Sequence, residues 1–388
     1  ASWQTVSNDT IGFMNYRSES RSGWKQDVIF KKRVKAFNED RTTHDYSLAK
    51  VLIGYDQHHK PIRWEFQAKT EESYSEERAI VYDSVGAGLG QYRYDLIFNT
   101  YISDPNGAFI AYTVPTGKRD PNTVIEGSQK FTIDLGRISG FPDILIRGNN
   151  RLDYRGSGIE IRKLIQPEIT DSLSTRSRLV SRLEMIYSGK RRFRGWIENQ
   201  QALNGLDPRG SDLDHFNETG LEIDQAISRS ITIKNRGQFR TKSVKSTVST
   251  LRNRDVKGWW NETQLQVKLN ESMDFDLGIM GGFDSGSQQG DSFSAQAYGV
   301  LLNGRFFFKK TGRLHTRVSW AKALEKNNSE YLPPEALNGY PIGTSFRSNT
   351  RLQYFLNRSV SMIFTLNTID DGRYDNFITF QGEIRAHF

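Results

Sequence analysis

The feature that most constrains this chain is an alternation of apolar and polar side chains, recurring in long runs and continuing to the C-terminus. In the last run Ile378, Phe380, Gly382, Ile384, Ala386 and Phe388 share one face. Thr379, Gln381, Glu383, Arg385 and His387 share the other. A period of two denotes a strand whose faces meet different surroundings. From Ser177 onward the pattern repeats: Leu183, Met185 and Tyr187 against Arg178, Arg182 and Glu184; Leu221 and Ile223 against Glu222 and Asp224; Ile233 and Phe239 against Lys234 and Arg236; Trp259, Leu265 and Val267 against Glu262 and Lys268. Most runs approach the ~9–11 residues that a tilted strand needs to cross a hydrocarbon layer, whereas strands of soluble sheets average nearer ~5–6. The pattern therefore predicts an all-β chain, an antiparallel up-and-down transmembrane β-barrel with lipid against its apolar faces and a polar lumen.

Composition agrees with that reading. Of 388 residues, hydrophobic types make up only 36% while aromatics reach 12%, and there are 33 glycines, a balance suited to twisted strands, tight turns and aromatic girdles. The absence of cysteine excludes disulfides and thiolate metal sites. No apolar run reaches the ~18 residues that would mark a membrane helix. The net charge of +8 is dispersed among acids rather than gathered into a stripe, which argues against nucleic acid as a partner. The chain begins at Ala1 rather than Met, as expected if a leader has been removed or if this is a piece of a longer protein.

The expected organisation is a leader segment over 1–22, an N-terminal β region over 23–143 and the barrel proper over 144–388. Within the β region, a Gly/Pro-rich insert over 85–121 is a plug, a surface loop or the first barrel strands. Earlier strands are expected at Gln26–Phe37, Tyr46–Tyr55, Ile62–Lys69, Tyr74–Tyr82, Thr123–Leu135 and Ile144–Tyr154, giving about 12 to 16 in all, an even number. Short connections such as 189–191 and 270–272 alternate with long polar ones expected at 204–216, 241–256, 284–291, 324–345 and 370–375. Helix is confined to a turn or two after Pro167 or Pro333.

The ending Gly382-Glu383-Ile384-Arg385-Ala386-His387-Phe388, with Phe380, Ile384 and Phe388 on one face, resembles the C-terminal assembly signal of bacterial outer-membrane β-barrels. Two further segments resemble a group of large outer-membrane barrel proteins of the Chlorobiota, Fibrobacterota and Bacteroidota kind, to which no activity is assigned. One runs from Val85-Gly86-Ala87-Gly88-Leu89-Gly90 through Tyr92-Arg93-Tyr94-Asp95 to Asp104-Pro105-Asn106-Gly107. The other is Leu332-Pro333-Pro334-Glu335-Ala336-Leu337-Asn338-Gly339-Tyr340-Pro341. Together these cover under a fifth of the chain. The resemblance implies a bacterial outer-membrane location, lipid and lipopolysaccharide as surroundings, the barrel assembly machinery and other envelope proteins as partners, and the short turns on the periplasmic side.

Ionised groups facing hydrocarbon would cost up to ~2–4 kcal/mol each at mid-depth. Arg178, Arg182, Glu184, Glu222, Asp224, Lys234, Arg236, Glu262, Lys268, Glu383 and Arg385 are therefore expected to line a lumen. Trp196, Trp259, Trp260, Trp320 and Tyr354 are expected at the membrane interface. The function expected is non-catalytic: transport or export, or a structural part of an envelope complex, without cofactor or metal. One alternative is a rim-loop hydrolase, protease or lipase-like, built on Asp212, Asp214 and His215. Another is a soluble all-β adhesin or fibre subunit. Gly86, Gly88 and Gly90 read as a turn rather than a dinucleotide loop, because a β-like Tyr92-Arg93-Tyr94 follows. His58-His59 cannot chelate from one strand. Asp95, Asp104 and Asn106 offer three oxygens, a thin set for calcium.

Overall fold

The computed structural model describes residues 7–37, 43–156, 174–288, 290–308, 311–326, 332–357 and 359–386. The chain opens with β1 (Ser7–Glu19), β2 (Trp24–Phe37), β3 (Thr43–Asp56) and β4 (Ile62–Ser84). A short hairpin, β5 (Gly90–Asp95) and β6 (Thr100–Gly107), precedes β7 (Phe109–Asp134), β8 (Ile144–Gly156), β9 (Ser174–Ser188) and β10 (Arg191–Asp207). Then come β11 (Gly210–Ala226), β12 (Ile231–Ser246), β13 (Arg254–Asn270), β14 (Met273–Gln288) and β15 (Asp291–Phe308). The last four are β16 (Gly312–Glu325), β17 (Gly343–Phe355), β18 (Val360–Asp371) and β19 (Tyr374–Ala386). No α-helix occurs among the described residues. The turn expected after Pro333 is a single 3-10 turn, Ala336–Gly339, whereas of 167–176 only the last three residues are described, and they begin β9.

All strands belong to one antiparallel sheet of 19 strands. From β1 to β4 and from β7 to β19 each strand pairs with the next, while β4 pairs directly with β7 along both their lengths. The β5–β6 hairpin sits at the far end of that long arm. No pairing joins β1 to β19 among the described residues, so both edges are free. Both strands run toward the end of the sheet that carries the tight turns, so pairing the two edges with each other would be parallel.

Several expectations are corrected here. The strand number exceeds the expected range of about 12 to 16, because residues 1–22, set aside as a leader, contribute β1, and because the 85–121 insert is itself β5, β6 and part of β7. The two strands expected at 62–69 and 74–82 are one, β4. Three of the long polar loops shrink to turns: only 208–209 separate β10 from β11, 289–290 separate β14 from β15, and 372–373 separate β18 from β19. The strands continue where apolar alternation stops, because backbone pairing persists when both faces meet polar surroundings.

On β13 to β17 the register sorts the side chains cleanly. Leu265, Leu277, Leu302 and Val318 stand side by side on β13 to β16, and Ile279, Val300, Trp320 and Phe346 on β14 to β17. These belong to the exposed face. On β14, Leu277 and Ile279 are 59% and 64% exposed, whereas Asp276 and Met280, pointing the other way, are 7% and 6%. A soluble sheet buries its apolar face; this one shelters its polar face. The apolar surface is also bounded. On β13 it runs from Trp259 to Leu269, about the ~9–11 residues of a membrane crossing. Toward the long-loop end it gives way to the ladder Asn199, Asn217, Thr241, Lys257 and Ser285.

Candidate functional site

The sheltered face is a wall of paired charges. Cross-strand neighbours alternate in sign along Arg194, Glu222, Arg236 and Glu262. Arg194 pairs with Glu184 and lies 3.9 Å from Glu222, and Arg182 reaches Glu198 at 2.6 Å. Farther along, Arg305 contacts Asp274 at 3.6 Å and Asp276 at 3.2 Å. Within this wall stands Trp196, 4% exposed, donating Nε1–H to Glu218 Oε1 at 2.7 Å. The guanidinium carbons of Arg236, Arg194 and Arg182 lie 5.1, 5.8 and 5.9 Å from its ring. A desolvated ring face surrounded by cations contributes cation–π attraction. The indole fits because Gly220 lies opposite on β11; a Cβ there would come within 2.1 Å of the ring.

The second component is a loop. Residues 332–341, between β16 and β17, lie against the sheltered face of β12 to β17. The floor is made of small side chains, Ala295, Ala297, Ala321 and Ala323, all buried together with Trp260, Met280, Leu337 and Tyr340. Tyr340 stacks on Trp260 with centroids 6.0 Å apart and planes 9° from parallel. The Tyr340 hydroxyl hydrogen-bonds Ser319 Oγ at 3.2 Å, and Arg347 Cζ lies 4.3 Å above the Tyr340 ring. Beneath the loop, Asp284 is fully buried; its Oδ2 accepts from Leu337 N–H at 2.5 Å and from Arg240 Nη2 at 2.7 Å. A buried carboxylate survives only when paired in this way. Leu337, Asn338 and Gly339 have φ of 50°, 56° and 79°, a left-handed run that L-residues adopt only when the surroundings enforce it.

Glu335 ties the loop to the opposite strands. Its carboxylate accepts from Arg254 Nη2 at 2.7 Å and Nε at 3.0 Å, and Lys242 Nζ lies 3.3 Å away. Burial by itself would raise the Glu335 carboxyl, but the Arg254 hydrogen bonds and charge, followed by Lys242, outweigh it and hold the group below the ordinary range.

The residues singled out in sequence divide between the two faces. Arg178, Arg182, Glu184, Glu222, Asp224, Lys234, Arg236, Glu262, Lys268, Glu383 and Arg385 all lie on the face with Asp276 and Met280. Trp259, Trp320 and Tyr354 lie on the apolar face and are exposed. Trp196 and Trp260 do not join them. Both are buried, at 4% and 3% exposure, on the charged face, since each occupies the opposite parity in its strand. Phe380 and Ile384 project from the apolar face of β19, and Phe388 lies outside the described residues.

The Asp212, Asp214 and His215 group is not a rim loop but part of β11. Asp212 and Asp214 face the charged side, where Arg252 pairs with Asp212 at 2.8 Å. His215 faces away, its Nε2 2.9 Å from Asn199 Nδ2. The three do not converge. His58 and His59 are exposed in the β3–β4 turn. The carboxylates of Asp95 and Asp104 cap their own turns, with Asp95 accepting from Ile97 and Phe98 N–H. No group of three or more possible metal ligands occurs among the described residues. Gly86 and Gly88, φ 101° and 81°, form the bend between β4 and β5, and a strand rather than a helix follows. Sequence reasoning missed Asp284, Arg240, Glu335, Arg254 and Arg347. The available signal was the run of alanines at positions whose parity elsewhere carries charge.

No family model matches the chain, and no match was found among curated proteins.

Two outcomes follow from this geometry. Gly220→Ala forces the Trp196 ring out of the wall and should destabilise the protein by ~1–3 kcal/mol, as overpacking does; a lowered thermal midpoint reads it, and Trp196→Phe in the same chain should recover part of the loss. The loop should also respond to acid. A carboxyl held below its free value stabilises the docked loop above the ordinary glutamate pKa of about 4.3 and loses that contribution as pH falls through the lowered value. The protection factors of the Leu337 and Tyr340 amides, exchange rates corrected for the intrinsic pH dependence, should therefore fall about tenfold or more on acidification below ~4 or, at neutral pH, in Glu335→Gln.

Proposed function

We propose that this chain is a bacterial outer-membrane β-barrel protein whose sheltered charged face lines a polar conduit narrowed by the 332–341 loop, serving transport or export rather than catalysis. The observation that carries the reading is the inversion of the sheet. Leu277 and Ile279 are largely exposed while Asp276 and Met280 beside them are buried. Water would leave such an apolar band unsatisfied, whereas acyl chains match it and leave the ion-paired wall to an aqueous interior. The exposed Trp259, Trp320 and Tyr354 suit the headgroup layers. Phe380 and Ile384 lie on the apolar face of the last strand, which supports the assembly signal that the C-terminus resembles. The 332–341 loop supports restriction rather than free passage, because it lies on the charged wall itself and is held there by Asp284, Arg254 and Lys242.

The free edges of β1 and β19 bear directly on this reading. Unpaired strand amides cannot remain in hydrocarbon, so both edges must be satisfied in the membrane. In detergent micelles or lipid, the amides of both strands should exchange as slowly as those of β14; fast exchange confined to β1 and β19 would contradict the reading.

The broader test is reconstitution. The protein should require detergent and give discrete openings in planar bilayers, with larger conductance after Glu335→Gln releases the loop. A chain that stays monodisperse in plain buffer would instead be a soluble β protein. Leu277→Arg separates the two outcomes further. It should cost ~2–4 kcal/mol in a lipid-facing position, read as a fall in folding yield or urea midpoint, and almost nothing on a wetted surface.

A further inference from the structure

At the long-loop end of the charged face, β7 to β13 border a cavity of about 1120 Å³ lined by more cationic than acidic side chains. Its charge balance is uneven. Arg151 pairs with Asp153 at 3.1 Å, and Arg252 with Asp212 at 2.8 Å. Arg155 on β8 and Arg176 on β9 stand directly opposite each other. Like charges at such a cross-strand position repel. Neither side chain meets a carboxylate among the described residues. Asn204 is the next neighbour of Arg176 across β10, so the ladder continues with a neutral group. Arg178, two residues on and facing the same way, among the described residues hydrogen-bonds only the neutral Gln200 Oε1, at 3.3 Å. Elsewhere on the wall, Arg182, Arg194 and Arg305 each have an acidic partner. Arg155, Arg176 and Arg178 make the cavity a place where positive charge has no carboxylate partner among the described residues.

We propose that this cavity binds a multivalent anion through Arg155, Arg176 and Arg178, with one anionic group shared between the facing guanidinium forks of Arg155 and Arg176 and a second near Arg178. Guanidinium forks match the oxygen spacing of phosphates and carboxylates alike, so the shared chemistry is that of a small oligo-phosphate or oligo-carboxylate. The proposal deepens the conduit reading, on which it rests for the supply of ligand from outside, and it names the class of solute that the conduit would hold.

The test is calorimetric titration of the full chain in detergent micelles with inorganic pyrophosphate and, separately, with citrate, at low salt. Saturable binding of either should appear, weaken at higher ionic strength, and fall at least tenfold in the Arg155→Gln/Arg176→Gln double variant. Arg313→Gln, at the tight-turn end, should leave it unchanged. Tighter binding of pyrophosphate assigns the site to phosphates, and tighter binding of citrate to carboxylates. Absence of saturable binding for both, or binding undiminished in the double variant, overturns the proposal. Unchanged heat-modifiable gel mobility establishes that the double variant is folded. Binding without channel activity would retire only the conduit, and channel activity without binding would retire only this site.

Discussion

Much in this molecule follows from one arrangement: on β13 to β17 the apolar side chains are exposed and the polar face is the sheltered one. That arrangement reverses the usual economy of a β-protein. The exposed apolar side chains of β13 to β17 contribute no core, so cohesion there depends on backbone ladders, on the cross-strand pairs of the charged face and on the cluster under the loop. The pairs are not decoration in such a sheet. Arg194 between Glu184 and Glu222, and Arg305 between Asp274 and Asp276, cancel charge that would otherwise repel across strands only one register step apart. Charges sheltered but partly wetted also avoid the full desolvation penalty of a buried pair. Asp284 is an exception. It is fully buried, and it is also the group to which the loop backbone is anchored.

How much of this the sequence disclosed depends on what each face meets. From Ser177 onward the apolar stripe is continuous, and both the antiparallel order and the sidedness of the charged row could be read from period alone. Where both faces are polar the period vanishes although the strand does not, which is why β11 runs on through Asp212, Asp214 and His215 where a loop was expected. The N-terminal arms were fragmented on sequence for a related reason. Thr70 to Tyr74 and the stretch from Arg119 to Asn122 carry no alternation, yet β4 and β7 pair straight through them. Trp196 and Trp260 illustrate a further limit. Aromatic rings suit a membrane interface in general, but parity within the strand decides their side, and an acceptor within reach of each indole N–H, Glu218 and Glu262, makes the charged face habitable for them.

The loop seat was legible only in retrospect. A wall that must carry charge has no reason to place alanine at 295, 297, 321 and 323, all with the parity of Asp276 and Arg305, unless something lies against it. Small side chains lower the floor by the height of a ring, and the Tyr340–Trp260 stack fills that space. Gly258 extends the same logic. A Cβ there would come within 1.9 Å of Asp284 Oδ1, so the glycine leaves room for the carboxylate that receives the loop amide. Sequence periodicity reports which medium a residue faces, and it has no term for a segment of the same chain that returns to cover that face.

The two halves of the charged face are therefore built for different tasks. On β12 to β17 the wall is flattened by alanine and glycine, and its free valences are spent on the loop: Asp284 on the Leu337 amide, Arg254 and Lys242 on Glu335, Arg347 on the Gly339 carbonyl and the Tyr340 ring. On β7 to β11 no loop among the described residues takes up the charge, and Arg155 and Arg176 stand side by side on adjacent strands in the cavity lining. A protein that can pair Arg194 with two glutamates has the means to neutralise those arginines as well. With no carboxylate partner among the described residues, they are most simply understood as a place kept for a charge that arrives from solution.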